Sequence, residues 1–465
     1  MKKVLMPLLC AAALMTLAAC GDGPGDPGLM GRLPGGYDAY ITIDPERANF
    51  PEILEIVEDN LPEYELNDIE EMDLGLDLFD WNDWVDELGI EPGEIGFVGM
   101  GEDMEFLAVF LPCDGEKLMD FVESAGGGDE TEFLEMDGYT VMVIAWEDDA
   151  QIDELEEALR NPLSEDEDFQ AMAARAVMDD PAVAFLFYEE ITEFPVMCFV
   201  SDDGDATEIS MAMIFDDEEM EMYADIFAEG LQSRSIMLPG NTMAAVRTSF
   251  DTETLIDRYD EMAREADTDA GEMEAGLAFI GFSSMEEFIG VFKGDFCIAV
   301  TEIELDQWGE PSGGAGIMAL SLQDPEKLEA SLNMISTLAE STRESFQGTT
   351  AFRMDIGVES IWYFIYDDVF YVSYAIEPEE IAEGMKAEDF FSGASSEGFM
   401  GGAANPEMIV DGLSLDRDTE RLIEEVFAGE AAFSVSFQDG LAFSKVTIGP
   451  GAITSIVEIA MEMGQ

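Results

Sequence analysis

Short apolar runs separated by polar turns recur along the chain, and this pattern predicts β-strands. The densest stretch covers residues 352–374, where Asp367 and Asp368 interrupt a sequence rich in Ile, Val, Tyr and Phe and indicate a hairpin of two strands. Other runs predict strands at residues 182–188, 208–215, 431–437 and 441–448. Residues 438–440, with the sequence Gln-Asp-Gly, are typical of a tight turn between the last two strands.

Helical spacing marks two further segments. Asp324 is a good N-cap, and Pro325 fits the first position of the helix that follows. The apolar residues of that helix fall on one face: Leu328, Leu332, Ile335 and Leu338. Asn49 is predicted to cap a similar helix that carries Ile53, Leu54, Ile56 and Val57. Strands joined by short turns, with helices interspersed, predict an α+β fold with largely antiparallel sheets and packed helices.

Similar sequence segments recur in the same order in the two halves of the chain, which indicates an internal duplication. The tripeptide Leu-Pro-Gly stands at residues 33–35 and again at 238–240, each time before a strand-like stretch and a helix. Further matches follow in the same order: 93–98 with 294–299, 107–111 with 318–322, and 114–118 with 324–328. Matches that keep their order predict two tandem related modules, at residues 33–237 and 238–465.

Three of these pieces together resemble an uncharacterised family of bacterial envelope proteins, a domain of unknown function. They are the proline-plus-small-residue opening with its tyrosine-rich strand (33–44), the strands and helix start at 93–118, and the Asp-Pro-x-Lys-like helix start at 324–328. The resemblance implies an envelope location. The family has no established activity, so the resemblance assigns no catalytic or binding residue, and the acidity of this chain departs from the family pattern.

The N-terminus predicts a bacterial lipoprotein. Lys2 and Lys3 precede an apolar run that is too short to span a membrane and that ends in Leu-Ala-Ala before Cys20. This ending resembles the lipobox, which implies a signal peptide at residues 1–19, a lipidated Cys20 and a Gly/Pro-rich tether at 20–32. The alternative is an ordinary signal peptide that contains a cysteine. Gly21, rather than Asp, follows the cysteine, which favours the outer membrane, with the protein facing the periplasm or the surface.

Charge is the most unusual property of the composition. The chain has 105 acidic and 19 basic residues, no histidine and a net charge of −86. Such a surface repels nucleic acid, whose binding depends on Lys and Arg. We interpret the acidity as general adaptation to salt, because the acids are spread over the whole chain; a dedicated cation-binding surface is the alternative. Candidate cation ligands are Asp202, Asp203 and Asp205, although a solvated loop is our first interpretation of this cluster and of residues 164–168.

The amino-acid composition excludes several types of catalytic and metal-binding site. The lack of histidine excludes Ser-His-Asp and Cys-His catalysis and the commonest transition-metal ligand. Cys113, Cys198 and Cys297 lie in apolar contexts and are interpreted as small buried residues. We therefore expect no catalytic residue and no cofactor.

The leading functional prediction is a membrane-anchored envelope lipoprotein, not an enzyme, with a binding or scaffolding role. Its expected partners are the membrane, through the N-terminal lipid, an envelope protein, and cations. Two alternatives remain: a carrier of lipid or another hydrophobic ligand, since Met-rich and Phe-rich strand faces suit irregular apolar molecules, and a hydrolase that uses a carboxylate pair.

Overall fold

The computed structural model describes residues 28–61, 77, 79–100, 106–124, 131–136, 138–145, 155, 158–176, 181–188, 195–202, 206–214, 225–227, 236–265, 276–305, 311–357, 359–392, 398–412, 431–438, 441–455 and 457. The predicted signal peptide, Cys20 and most of the predicted tether therefore lie outside the described residues. None of the described helices is both long enough and apolar enough to cross a membrane.

Helices and antiparallel strands alternate along the chain, which confirms the predicted α+β class. The strands are β1 (Ala39–Ile43), β2 (Ile95–Met100), β3 (Phe106–Leu111), β4 (Thr131–Met136), β5 (Tyr139–Ala145), β6 (Val183–Phe187), β7 (Val196–Asp202), β8 (Thr207–Ile214), β9 (Met237–Leu238), β10 (Ala244–Ser249), β11 (Phe292–Leu305), β12 (Pro311–Leu322), β13 (Thr342–Phe346), β14 (Thr349–Ile356), β15 (Glu359–Tyr366), β16 (Val369–Tyr374), β17 (Met385–Lys386), β18 (Met400–Ala404), β19 (Ala431–Gln438) and β20 (Leu441–Ile448). The α-helices are α1 (Phe50–Asn60), α2 (Trp81–Leu88), α3 (Gly115–Ser124), α4 (Glu167–Ala176), α5 (Thr252–Glu265), α6 (Met285–Ile289), α7 (Pro325–Leu338), α8 (Pro378–Ala382), α9 (Ala387–Phe390) and α10 (Pro406–Gly412).

The two helix starts predicted from the sequence differ in how they are capped. The carboxylate of Asp324 accepts a hydrogen bond from the backbone N–H of Lys327 at 3.1 Å, so the predicted cap of α7 is confirmed. Asn49 does not cap α1 with its side chain; it takes a left-handed backbone conformation, and its amide contacts Glu52 instead. The apolar face of α7 is also shorter than predicted, because Leu338 at its end is 68% exposed.

The stretch at residues 352–374 forms parts of three strands, where the sequence indicated two. β14 and β15 pair in register from Ala351↔Phe364 to Ile356↔Glu359, and β15 pairs with β16 through the turn at Asp367 and Asp368. Both aspartates have positive φ, a conformation that Asp tolerates better than β-branched residues. The polar turn was therefore read correctly, whereas the turn between β14 and β15 was missed.

The first compact unit comprises Met1–Phe215 together with Leu441–Gln465. Its antiparallel strands follow the order β4-β5-β3-β2-β1-β6-β7-β8-β20. One sheet face packs on α4 and the 3-10 helix at Met30–Arg32, around Tyr40, Phe110 and Phe199. Residues of α2 and α3 pack on the other face around Leu107 and Val109. Both faces of this sheet are therefore covered by helices.

The second compact unit comprises Asp216–Gly440. Its antiparallel strands follow the order β13-β14-β15-β16-β12-β11-β10-β18-β19, and β9 pairs separately with β17. One sheet face packs on β9, α8 and α9, and part of the other packs on α6 and α7. Gly294 begins a bulged part of β11 at φ +96°, and a Cβ there would lie 1.9 Å from the carbonyl oxygen of Phe250. Only glycine fits this close approach.

Candidate functional site

The predicted site residues fall mostly outside the described part of the chain. This is true of Cys20, Asp203 and Asp205. Asp202 is described, and its carboxylate accepts hydrogen bonds from the hydroxyl of Thr207 at 2.8 Å and from the backbone N–H of Gly451 at 2.6 Å. These contacts join β7, β8 and the segment after β20, so Asp202 has a structural role. Among the described residues, no group of three or more Cys, Asp or Glu side chains is placed to hold a metal ion.

The second acidic cluster, residues 164–168, is exposed to solvent except at Asp166, as interpreted from the sequence, but it is helical rather than a loop. It contains the end of a 3-10 helix and the start of α4. The carboxylate of Asp166 accepts hydrogen bonds from the backbone N–H of Phe169 at 2.8 Å and from the hydroxyl of Tyr188 at 3.0 Å. Burial, followed by the charge of Asp166, raises the pKa of Tyr188. The cluster thus supplies a helix cap that is tied to β6.

The most unusual surface of the second unit is a sheet face with no charged side chain on two neighbouring rows. We call these two rows the apolar face. From β14 to β19 the first row is Phe352, Tyr363, Val372, Met318, Ile298, Val246, Gly402 and Phe433. The second row is Met354, Ile361, Tyr374, Gly316, Val300, Ala244, Ala404 and Ala431. In a chain of which 27% is charged, this is a marked segregation.

The middle of the apolar face is open to solvent. Val246 is 41% exposed, Ile298 is 46% exposed and Tyr374 is 40% exposed. Val246 and Ile298 are direct cross-strand partners, so their side chains form one exposed spot. At the β14 end, by contrast, residues of α7 cover Phe352 and Tyr363. Within the described residues, the helices of the second unit therefore leave part of this face exposed.

The reverse side of the same strands carries a buried polar cluster. The hydroxyl of Ser249 donates to Asp295 at 3.1 Å, and the guanidinium of Arg247 lies 4.6 Å from the centre of the Phe391 ring. Burial raises the pKa of Asp295, while Ser249 and Ser321 lower it. Burial also lowers the pKa of Arg247. These side chains are at most 9% exposed, so a substrate does not reach them, and the cluster serves to hold β10, β11 and β12 together.

A small cleft of about 210 Å³ lies between α7 and the strands β14 and β15. Its apolar lining includes Leu332, Phe352 and Ile365. Its polar lining consists of Glu326 and Glu329 of α7 and of Thr349 and Thr350 of β14. A glycosidase needs two carboxylates on either side of the bond that is cleaved. Both glutamates lie on one side here, one helical turn apart, so the cleft does not have that geometry.

The cysteines occupy the positions that their apolar contexts suggest. Cys198 in β7 and Cys297 in β11 are fully buried, and Cys113 after β3 is half-buried. Burial raises the thiol pKa of Cys297 to about 12 and that of Cys113 to about 11. Thiols in this state carry little of the reactive thiolate at neutral pH.

Sequence reasoning found the strands of the apolar face but missed its exposure. β11 contains the run Phe296-Cys297-Ile298-Ala299-Val300, and a continuous apolar run is typical of a strand that is buried on both faces. Whether such a face is exposed depends on which helices pack on it, and the local sequence pattern does not give that.

No family model matches the chain, and no curated protein matches it. Among solved structures, crystal form IV of TP0453 is similar at 10% identity over 44% of this chain and 86% of that chain, with a TM-score of 0.23. Crystal form III of TP0453 gives 12% identity, 43% and 89% coverage and a TM-score of 0.24. Crystal form I gives 11% identity, 45% and 90% coverage and a TM-score of 0.24. These TM-scores are too low for the likeness to support a functional argument.

Proposed function

We propose that this chain is a membrane-anchored envelope lipoprotein that acts by binding, with the apolar face as its binding surface. The observation that carries the proposal is the exposure of Val246, Ile298 and Tyr374 on an uncharged sheet face of a chain with 105 acidic residues. Exposed contiguous apolar surface on a soluble protein marks an interaction site more often than a chance feature.

Fluorescence of a neutral apolar dye such as Nile red tests whether this face accepts an apolar occupant. The test variant carries Val246→Thr and Ile298→Thr, because threonine keeps the branched shape that β-strands favour while it adds a hydroxyl. We expect the dye signal to fall by about twofold or more. A control variant with Phe279→Ser and Leu338→Ser removes exposed apolar side chains outside the face and should leave most of the signal. Equal signals from all three proteins would contradict the proposal.

The anchoring part of the proposal rests on the Leu-Ala-Ala sequence before Cys20. Two acyl chains or more give stable attachment, whereas one is marginal. Replacing Cys20 by Ala is therefore expected to move the protein from the membrane fraction to the soluble fraction of cells. Sedimentation of the variant with membranes after a high-salt wash would show that the anchor is not at Cys20.

A hydrophobic-ligand carrier is the second candidate, and the apolar lining of the cleft beside α7 favours it. A volume of about 210 Å³ holds a small ring or a short alkyl segment rather than a whole lipid. Solvent extraction of the purified protein followed by mass spectrometry separates the two candidates. Lipid at about one molecule per protein in the extract would support the carrier. No lipid in the extract of a protein that was purified without a delipidation step would oppose it.

We also propose that the two units derive from one module. In each unit the first long strand pairs with the second and with the strand after the later helices: β1 with β2 and β6, and β10 with β11 and β18. A helix follows the third strand in each case, as α3 follows β3 and α7 follows β12. The two sheets are not identical, since two strands lie beyond β3 and four lie beyond β12. Within residues 33–237 and 238–465, the common strands β1, β2, β3 and β6 should superpose on β10, β11, β12 and β18 in an experimental structure. A different arrangement of these four strands in the two halves would refute the duplication.

A further inference from the structure

We infer that the occupant of the apolar face is an amphipathic helix of a partner protein, with an apolar stripe and basic flanks. This inference rests on the proposed binding function and specifies its partner. It follows from the width of the face, from its exposure to solvent and from the net charge of the chain.

The width of the face matches a helix of moderate length. Beyond the end that α7 covers, the rows run across six neighbouring strands from β16 to β19. Strands lie about 4.8 Å apart, so five intervals span about 24 Å. A helix rises 1.5 Å per residue, and about 16 residues cover that distance. Small side chains in the second row, at Ala244, Gly316 and Ala404, allow the backbone of such a helix to approach closely.

The openness of the face argues against a small molecule. Pockets for small ligands are concave and enclose most of the ligand surface. Val246, Ile298 and Tyr374 instead lie on a sheet surface that is exposed over several strands. Helix-on-sheet packing is the usual way to cover such a surface, and α7 already covers the β14 end of the same rows.

The net charge of the chain predicts that the residues beside the partner's apolar stripe are basic. With a net charge of −86, the chain repels a second copy of itself and repels anionic lipid headgroups. A partner that combines an apolar stripe with lysine or arginine on either side is attracted by the net negative charge of the chain and loses little on burial of the stripe. Complementary charge also accelerates association at low salt.

The experiment uses three synthetic 16-residue peptides and the chain from residue 20 with Cys20→Ala, so that no detergent is needed. The first peptide places leucine and lysine at amphipathic helical spacing. The second has the same composition in scrambled order, and the third replaces lysine by glutamate. Affinity is measured by calorimetry at 0.15 M and 0.5 M NaCl. We expect the first peptide to bind at least about tenfold more tightly than either other peptide, with helix formation detected by circular dichroism.

The variants locate the binding site and separate the two proposals. The variant with Val246→Thr and Ile298→Thr should bind the amphipathic peptide about tenfold more weakly than wild type. The variant with Phe279→Ser and Leu338→Ser should bind it with unchanged affinity. Equal binding of the ordered and scrambled peptides would reduce the effect to bulk charge and overturn the helix inference. Binding of zwitterionic vesicles that is lost in the Thr variant would assign the face to lipid and also overturn it. In both cases the dye experiment tests separately whether the apolar face binds any apolar molecule.

Discussion

At the scale of single residues, Asp202 is the clearest case of a carboxylate with a structural purpose. Two of its hydrogen-bond partners, Thr207 and Gly451, belong to segments that are far apart in sequence. Replacement by Ala leaves both donors without this acceptor, and we expect a loss of about 1–3 kcal/mol in the free energy of unfolding. Urea denaturation followed by circular dichroism measures it. Asp202→Asn keeps one acceptor oxygen and should cost less. An effect no larger than that of the exposed-site control Asp120→Ala would contradict the assigned role.

Glu287 offers a pH-dependent test. Its carboxylate bonds to Lys327 at 2.6 Å and to the backbone and hydroxyl of Ser283, and these contacts lower its pKa from 4.5 to about 2. A lowered carboxyl pKa stabilises the fold above pH 4.5, and the contribution disappears as pH falls towards 2. Glu287→Gln should therefore have a lower urea midpoint than wild type at pH 6, and the gap should close between pH 4.5 and 2. Glu286→Gln is the control; a gap that is constant with pH would disprove the linkage.

Residues with a local role could be predicted from the sequence more reliably than residues with distant partners. Asp324 caps α7 as expected, because its carboxylate and the backbone N–H that donates to it lie three residues apart in sequence. The role of Asp202 depends on Gly451, which no local pattern connects to it. Asn49 was misread because an Asn before a helix suits either a side-chain cap or a left-handed turn, and the preceding backbone decides between them.

At the scale of elements, the last strand completes the first unit. β20 pairs with β8 along eight residues, from Leu441↔Ile214 to Ile448↔Thr207. The segment also buries Ile453 and Val457. Each fully buried large aliphatic side chain contributes about 1.5–3 kcal/mol, so the whole segment contributes an amount comparable to the total stability of a domain, about 5–15 kcal/mol.

Deleting residues 441–465 is therefore expected to unfold the first unit or to leave it without a cooperative transition. Hydrogen exchange measured on β6, β7 and β8 should show lost protection, and a synthetic peptide of residues 441–457 added in trans should restore part of it. Deleting only 458–465 is the control. Unchanged exchange in β8 after the longer deletion would rule out this role for β20.

Strand positions were largely predictable, whereas strand neighbours were not. The runs predicted at 182–188, 208–215, 431–437 and 441–448 correspond to β6, β8, β19 and β20 within one or two residues. Alternation and turn residues are local signals, and they suffice for this. The pairing of β20 with β8 and the open face on β10, β11 and β12 depend on which elements meet, and a single sequence does not encode that in local spacing.

At the scale of the whole molecule, net charge governs the response to salt. The strength of repulsion between two charges depends on their separation relative to the Debye length, which is about 30 Å at 0.01 M salt and about 3 Å at 1 M. Unfolding lets like charges separate, so repulsion destabilises the fold most when screening is weakest. We expect the melting temperature to rise by at least several degrees between 0.01 M and 1 M NaCl, as measured by calorimetry. A flat series would refute salt adaptation. A rise produced only by millimolar calcium would instead support specific cation sites.

The composition leads to predictions for the whole molecule, such as its response to salt, but it does not locate the apolar face. Acidity and the lack of histidine narrowed the chemistry before any fold was known. The apolar face became visible only when Val246, Ile298 and Tyr374 were placed on one face of one sheet, within four neighbouring strands. Its residues are ordinary strand residues taken singly, and only their common exposure distinguishes them.

The place of β20 in the first unit also governs the order of folding. Gly451 bonds to Asp202 across 249 residues of sequence, and such distant contacts raise the entropy cost of the folding nucleus and slow its formation. During synthesis, β1 to β8 emerge before β20, so the edge of β8 stays without this partner until residues 441–448 have been made.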